Sequence, residues 1–280
     1  MPHHEDRFET PDGLRLHERC WLPEGHPVAA VIVVHGLTEH SGRYAGLAGA
    51  LNGHGYAVYA VDLRGHGKSE GSPTFIRGFD EHLADLELLV DRVRSRQPGK
   101  PLFLLGHSMG GTIVALWAIT RQPEVGGLVL SAPAVQVGGG VFPILRHLAG
   151  IFSRLAPRLR ITRLGTRMLS RDPEVVAQFQ ADPLVFHGRF PVRTGAEILR
   201  AGRRIEASME DLRCPLLLLH GTGDAVTDPA GSEDLFTRAR SHDKTLKLYP
   251  GLYHDLLHEP EKEEVTADVV QWLDARLEGA

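Results

Sequence analysis

Ser108 stands between two glycines, in Gly106-His107-Ser108-Met109-Gly110, where a buried-looking run, Leu102–Leu105, gives way to a helical pattern over Thr112–Ile119. A Gly-X-Ser-X-Gly sequence between a strand and a helix has the form of a nucleophile elbow. The turn is so tight that side chains at the flanking positions would strike neighbouring backbone, which calls for glycine there. The serine oxygen is left above the edge of a sheet. The amide of Met109, at the start of the helix, faces the same point with the helix dipole behind it. The plainer reading is a serine that only spaces a tight turn.

A serine hydroxyl is a weak nucleophile near neutral pH, so it needs a base, and the base needs an acid to orient it. With the serine at such an elbow, the chain order is serine, acid, histidine. Asp224 follows the apolar run Leu216–His220, and His254 follows Thr245–Tyr249. Each is expected in a loop at the C-terminal end of a strand, on the edge that carries Ser108. Asp228 precedes a proline and reads as a helix N-cap. Asp255 adjoins His254 and should point elsewhere, and His258 reads as a surface residue. The oxyanion formed in acyl transfer needs two donors. The amides of Met109 and of Leu37, in the loop after His35-Gly36, are the candidates.

The elements that must position these residues are legible as alternating patterns. Strands are expected over Arg15–Leu22, Val28–Val34, Tyr56–Leu63, Leu102–Leu105, Gly127–Ser131, Leu216–His220 and Thr245–Tyr249. Helices are expected over Tyr44–His54, Phe79–Arg96 and Glu263–Leu277. The class is α/β, a mostly parallel central sheet flanked by helices on both faces. The alternation stops between Ala134 and Glu206, where helical spacing continues without a strand. Ile144, Leu145, Leu148, Ile151, Phe152 and Leu155 share one helical face there. Twelve arginines, no lysine and five acids make this stretch basic. It reads as a helical cap, residues 134–206, inserted into a core of residues 1–133 and 207–280 and lying over the sheet edge where such folds place their sites. Val137, Phe142, Leu145, Leu148, Ile151 and Phe152 are expected to supply an apolar wall.

The 280 residues carry a net charge of −4, without the basic excess of a nucleic-acid binder. Cys20 and Cys214 fit no metal-ligand spacing, and neither a metal nor a cofactor is expected. The opening residues hold no apolar leader and no stretch approaches the roughly 20 apolar residues of a membrane span, so a cytoplasmic protein is expected. The loop Asp62–Gly71 lacks the spacing of a Walker motif and reads as a structural loop held through Asp62 and Arg64.

Taken in order, "HGLTEHSGRY", "DLRGHGKSEG", "GHSMGG", "HGTGDAVTD" and "YHDLLHE", together with "ADPLVFHG" in the cap, resemble the α/β-hydrolases of the monoacylglycerol lipase type. The resemblance runs from about Phe8 to the last helix. It implies a cofactor-free serine hydrolase with an α/β-hydrolase fold. Its triad maps to Ser108, Asp224 and His254, and its oxyanion donors to the amides of Leu37 and Met109. It further implies that Arg43, Tyr44 and His107 help hold a glycerol head group. The sequence departs from the family at Thr38, where glycine is frequent, at Phe179, where a cap tyrosine is found, and at Leu257, in place of a histidine.

The resemblance implies cleavage of small lipid esters, with monoacylglycerol giving fatty acid and glycerol. The alternatives are a general carboxylesterase or lysophospholipase, and a non-catalytic scaffold for a hydrophobic ligand. The basic cap reads either as a solvated or ion-paired surface over an acyl pocket, or as a transient contact with an anionic membrane surface.

Overall fold

The computed structural model describes residues 3–137 and 152–277. Its strands, in chain order, are β1 (His4–Glu9), β2 (Arg15–Trp21), β3 (Ala29–Val34), β4 (Tyr56–Val61), β5 (Leu102–His107), β6 (Gly127–Ser131), β7 (Arg160–Thr162), β8 (Phe190–Pro191), β9 (Leu216–Gly221) and β10 (Lys244–Tyr249). Its helices are α1 (Ala45–Gly53), α2 (Phe79–Arg96), α3 (Met109–Arg121), α4 (Pro173–Ala181), α5 (Val192–Glu206), α6 (Pro229–Arg238) and α7 (Lys262–Leu277).

Eight strands form one sheet in the order β1-β2-β4-β3-β5-β6-β9-β10. β1 and β2 are antiparallel additions, and the rest run parallel from β4 to β10. The β-branched and leucine runs are explained by burial on both faces. Ile32, Val34, Leu104, Leu130 and Leu218 point to one side, against α2, α3 and α5. Val31, Val33, Leu105, Val129 and Leu219 point to the other, against α1 and α7. The apolar stripe of α2, Leu83, Leu86, Leu89, Val90 and Val93, lies in the first layer as its spacing predicts. Every loop leaving a parallel strand at its C-terminal end therefore arrives at one edge.

Three features differ from the expectation. β1 has a charged sequence, HEDRFE, with no apolar alternation, and is held by pairing along β2 at the sheet edge. Charge on an edge strand discourages pairing with other chains. The insertion also contains strands, contrary to the expectation of none. β7 and β8 form a small antiparallel ribbon, too short for any alternation to show in sequence. Finally, α5 is packed into the main core through Ile198, Ala201 and Ile205. Gly202 lies so close under Val135 that a Cβ there would sit 2.2 Å from the Val135 carbonyl oxygen.

Phe142, Ile144, Leu145, Leu148 and Ile151 lie outside the described residues. Phe152 and Leu155 are exposed, at 45% and 78%, rather than turned into an apolar wall. No helix among the described residues is long and apolar enough to cross a membrane.

Candidate active site

Ser108 occupies the corner between β5 and α3 with φ 54° and ψ −120°. A non-glycine residue rarely adopts this backbone, at a cost on the order of 1–3 kcal/mol, and the packing around it holds it there. The flanking glycines are required sterically. A Cβ on Gly106 would lie 2.5 Å from the Gly110 oxygen, and one on Gly110 would lie 2.1 Å from the Val34 oxygen. The Ser108 amide donates to the Ser131 carbonyl of the next strand (2.9 Å), which fixes the corner to the sheet.

The loops after β9 and β10 bring the other two predicted residues to it. His254 Nε2 lies 2.8 Å from Ser108 Oγ, and His254 Nδ1 lies 2.7 Å from Asp224 Oδ2. An ionised carboxylate only accepts, so the ring proton sits on Nδ1 and Nε2 is free to accept the serine proton. Asp224 is itself heavily held. Its Oδ1 accepts the amides of Val226 (2.7 Å) and Thr227 (3.0 Å). Its Oδ2 also faces the Thr227 hydroxyl (2.8 Å) and His220 Nε2 (3.2 Å). Burial opposes the Asp224 charge, but the imidazole of His254 and the hydrogen bonds from both histidines outweigh it and hold the carboxyl far below its usual range. Burial likewise opposes the His254 cation. The Asp224 charge and hydrogen bond overcome that, so the His254 pKa is raised.

A cavity opens over this group. Its polar side includes Glu39, Arg43, His107 and Asp255, and its apolar wall includes Leu37, Met109, Val137, Leu164, Leu169, Phe179, Phe190 and Ile198. Leu37 and Met109, whose amides the sequence singles out, thus flank Ser108 in one space. Val137 lines the wall as expected.

The polar side is a buried ion network. Glu39 accepts from the Gly36 amide (2.6 Å) and the Tyr44 hydroxyl (2.9 Å) through Oε1, and from Arg43 through Oε2 (2.5 Å). Arg43 Nη2 reaches Asp255 Oδ2 (2.8 Å). His258 Nδ1 lies 2.8 Å from Asp255 Oδ1, and its Nε2 lies 3.0 Å from the Arg43 carbonyl. Burial works against the Glu39 charge, yet Arg43 and His107 bring its pKa down to about 2. Burial, then the nearby His254, brings His107 down to about 4.

Two expectations are corrected here. Tyr44 does not reach the cavity: it is 1% exposed, with its hydroxyl spent on Glu39. His258 is no free surface residue, since both ring nitrogens are engaged. Arg43 does line the cavity, with its guanidinium held between two carboxylates and stacked 4.8 Å from the Phe179 ring centre. His107 lines it too, and its Nδ1 is buried with no partner among the described residues. Asp255 bonds to Arg43 and His258 rather than to the Ser108–His254 pair, and Asp228 caps α6 by accepting the Ala230 amide, as expected.

Asp62 accepts from Ser41 and the Lys68 amide, while Arg64 binds Asp85 and Asp12. The loop is thus held through both residues, which bond to separate partners. The inserted segment is bonded to both catalytic-side loops. The Phe186 amide donates to the Thr38 carbonyl and the Asp255 amide to the Leu169 carbonyl, each at 2.8 Å, and His40 meets Asp182 at 2.9 Å.

Sequence reasoning did not assign Glu39, His220 or Thr227. Glu39 left a trace, an acid four residues before Arg43 in the motif itself. His220 and Thr227 flank Asp224 within seven residues and were hidden among many histidines and threonines.

The sequence profile described as serine aminopeptidase, S33, matches residues 25–261. A monoacylglycerol lipase of Mycolicibacterium smegmatis is 38% identical over 98% of this chain and 98% of its own. A human monoglyceride lipase is 39% identical over 92% of this chain and 85% of its own. The crystal structure of a Paleococcus ferrophilus monoacylglycerol lipase superposes with a TM-score of 0.82, at 34% identity, covering 99% of this chain and all of that one.

Proposed function

The chain belongs to the serine aminopeptidase S33 family, and on that premise we propose that it is a serine hydrolase cleaving monoacylglycerol to fatty acid and glycerol. The observation that carries this reading is the unbroken chain from Ser108 Oγ through His254 to Asp224, at 2.8 and 2.7 Å, beneath an apolar cavity with a polar end.

Ser108 Oγ attacks the ester carbonyl while His254 Nε2 takes its proton. The amides of Leu37 and Met109 hold the oxyanion. His254, kept in one tautomer by Asp224, passes the proton to the leaving glycerol oxygen. Water then enters, gives a proton to the same nitrogen and attacks the acyl-serine, and the fatty acid departs as Ser108 recovers its proton.

The acyl chain lies along Met109, Val137, Leu164 and Phe190, and the glycerol faces His107 and the Arg43 network. Residues 134–206 act as the cap over this space. The polar end offers charged and hydrogen-bonding groups to the glycerol hydroxyls: Glu39 and Asp255 are held ionised, with Arg43 and His258 set against them.

The test is fatty-acid release from a medium-chain monoacylglycerol, with the matched simple ester and the matched lysophospholipid beside it. A kcat/KM at least tenfold higher for the monoacylglycerol is expected. A simple ester turned over equally well would replace this reading with a general carboxylesterase, and a preferred lysophospholipid would replace it with a lysophospholipase.

The two cysteines are both free, which fits a reducing cytoplasm. Exposed Phe152, Leu155 and Leu159 among arginines suit a transient contact with anionic lipid. Co-sedimentation with phosphatidylglycerol vesicles that is unchanged by Leu155→Ser would remove that contact from the reading.

A further inference from the structure

Three donors converge on one carboxylate oxygen. Asp224 Oδ2 faces His254 Nδ1 at 2.7 Å, Thr227 Oγ1 at 2.8 Å and His220 Nε2 at 3.2 Å, while two backbone amides hold Oδ1. A carboxylate offers about four lone-pair directions, so five donors exceed what it needs to be held in place. His220 is therefore not required as an anchor, and it competes with His254 for the same oxygen.

The ring of His220 is itself fixed. It is the penultimate residue of β9, with no solvent exposure, and its Nδ1 lies 2.7 Å from Ser232 Oγ on α6. Because the ionised carboxylate only accepts, the proton on Nε2 points at Asp224. A five-member chain results, Ser232–His220–Asp224–His254–Ser108, with an imidazole on either side of the acid.

We propose that His220 is a positioning residue that tempers the hold of Asp224 on His254 and thereby sets the pH at which Ser108 becomes reactive. The inference rests on the triad reading above. A donor on Oδ2 draws off charge that would otherwise favour the imidazolium of His254. From other elements, the carboxylates of Asp255 and Glu39 also favour that imidazolium, and His107, with its ring centre 4.8 Å away, opposes it. Those three stay unchanged when His220 is altered.

The experiment is the rate of fluorophosphonate labelling of Ser108 against pH, in native protein and in His220→Met, His220→Gln and Ser232→Ala. Thermal unfolding is measured on the same samples. His220→Met keeps the volume and loses the donor, so its acid limb should move to higher pH by roughly half a unit or more. His220→Gln keeps an N–H aimed at Asp224 and should restore the native limb. Ser232→Ala should move the limb in the same direction by less, and it decides the matter if His220→Met does not fold. Limbs that coincide with the native one in the folded variants would make His220 a packing residue and overturn the proposal. A native protein that takes no label overturns the triad reading and this inference with it.

Discussion

Arg43 Nη2 lies 2.8 Å from Asp255 Oδ2, so the segment after β3, which carries Leu37, is bonded to the immediate neighbour of His254. The same guanidinium binds Glu39, which accepts the Gly36 amide. One cation thus ties the loop after β3 to the loop after β10.

Replacing Arg43 by methionine leaves Glu39 buried without its counter-charge and Asp255 with His258 alone. Breaking a buried pair in this way costs about 3–5 kcal/mol. Urea unfolding of Arg43→Met should show that loss, and kcat/KM should fall more than tenfold. A variant as stable as the native protein would mean that the network holds nothing.

Ser108→Ala should lower turnover by a factor on the order of a thousand or more with the fold retained. Ser108→Gly should be equally inactive but more stable than Ser108→Ala by about 1 kcal/mol, because glycine accepts φ 54° without strain. Paired thermal melts of the two variants read the strain stored at the corner.

Asp224→Asn offers His254 an amide in place of a carboxylate and permits the wrong tautomer. A drop in kcat on the order of ten-thousandfold is expected, with KM little changed. The measurement is steady-state release of fatty acid near neutral pH. A loss below tenfold would show that the acid is supplied by another residue.

Buried histidines should make the fold acid-sensitive. Burial, then the neighbouring His35, holds His66 at about 3, and burial, then His254, holds His107 at about 4. Below about pH 6.5 the unfolded chain takes up these protons and the folded chain does not, so stability is full above that pH and declines as pH falls. Each histidine contributes a slope of about 1.4 kcal/mol per pH unit. His254, whose folded pKa is raised, has the opposite sign, and its contribution is complete once pH falls below the unfolded value. Urea midpoints between pH 6.5 and 4 should therefore fall steeply, and a flat profile would contradict the burial of these rings.

The strands and the Ser108–His254–Asp224 arrangement were legible for a common reason. Val31 to Val34 and Leu216 to Leu219 are covered on both faces, so their character is continuous and local. The elbow constrains its own glycines within five residues, and the fold imposes the order of Asp224 and His254. The ion network was not legible, because Arg43 and Asp255 are 212 residues apart and only the meeting of two loops makes them partners. Tyr44 looked available for substrate since nothing local announces that Glu39 takes its hydroxyl. β1 and the β7–β8 ribbon carry no apolar rhythm, and β1 is held by its pairing with β2, the burial of Phe8 and the ion pairs of Glu5 and Asp6.

The backbone bonds from Phe186 to Thr38 and from Asp255 to Leu169 act as two tethers from the inserted segment to the loops on either side of Ser108. Strain applied to that segment is shared at once by the loop after β3 and the loop that carries His254. Displacement of that segment would slacken both bonds together, and only their re-seating would restore the alignment. Phe186→Pro, which deletes one tether's donor, should release the loop after β3 while the other tether stays, slowing long-chain substrates by lost alignment more than by lost binding.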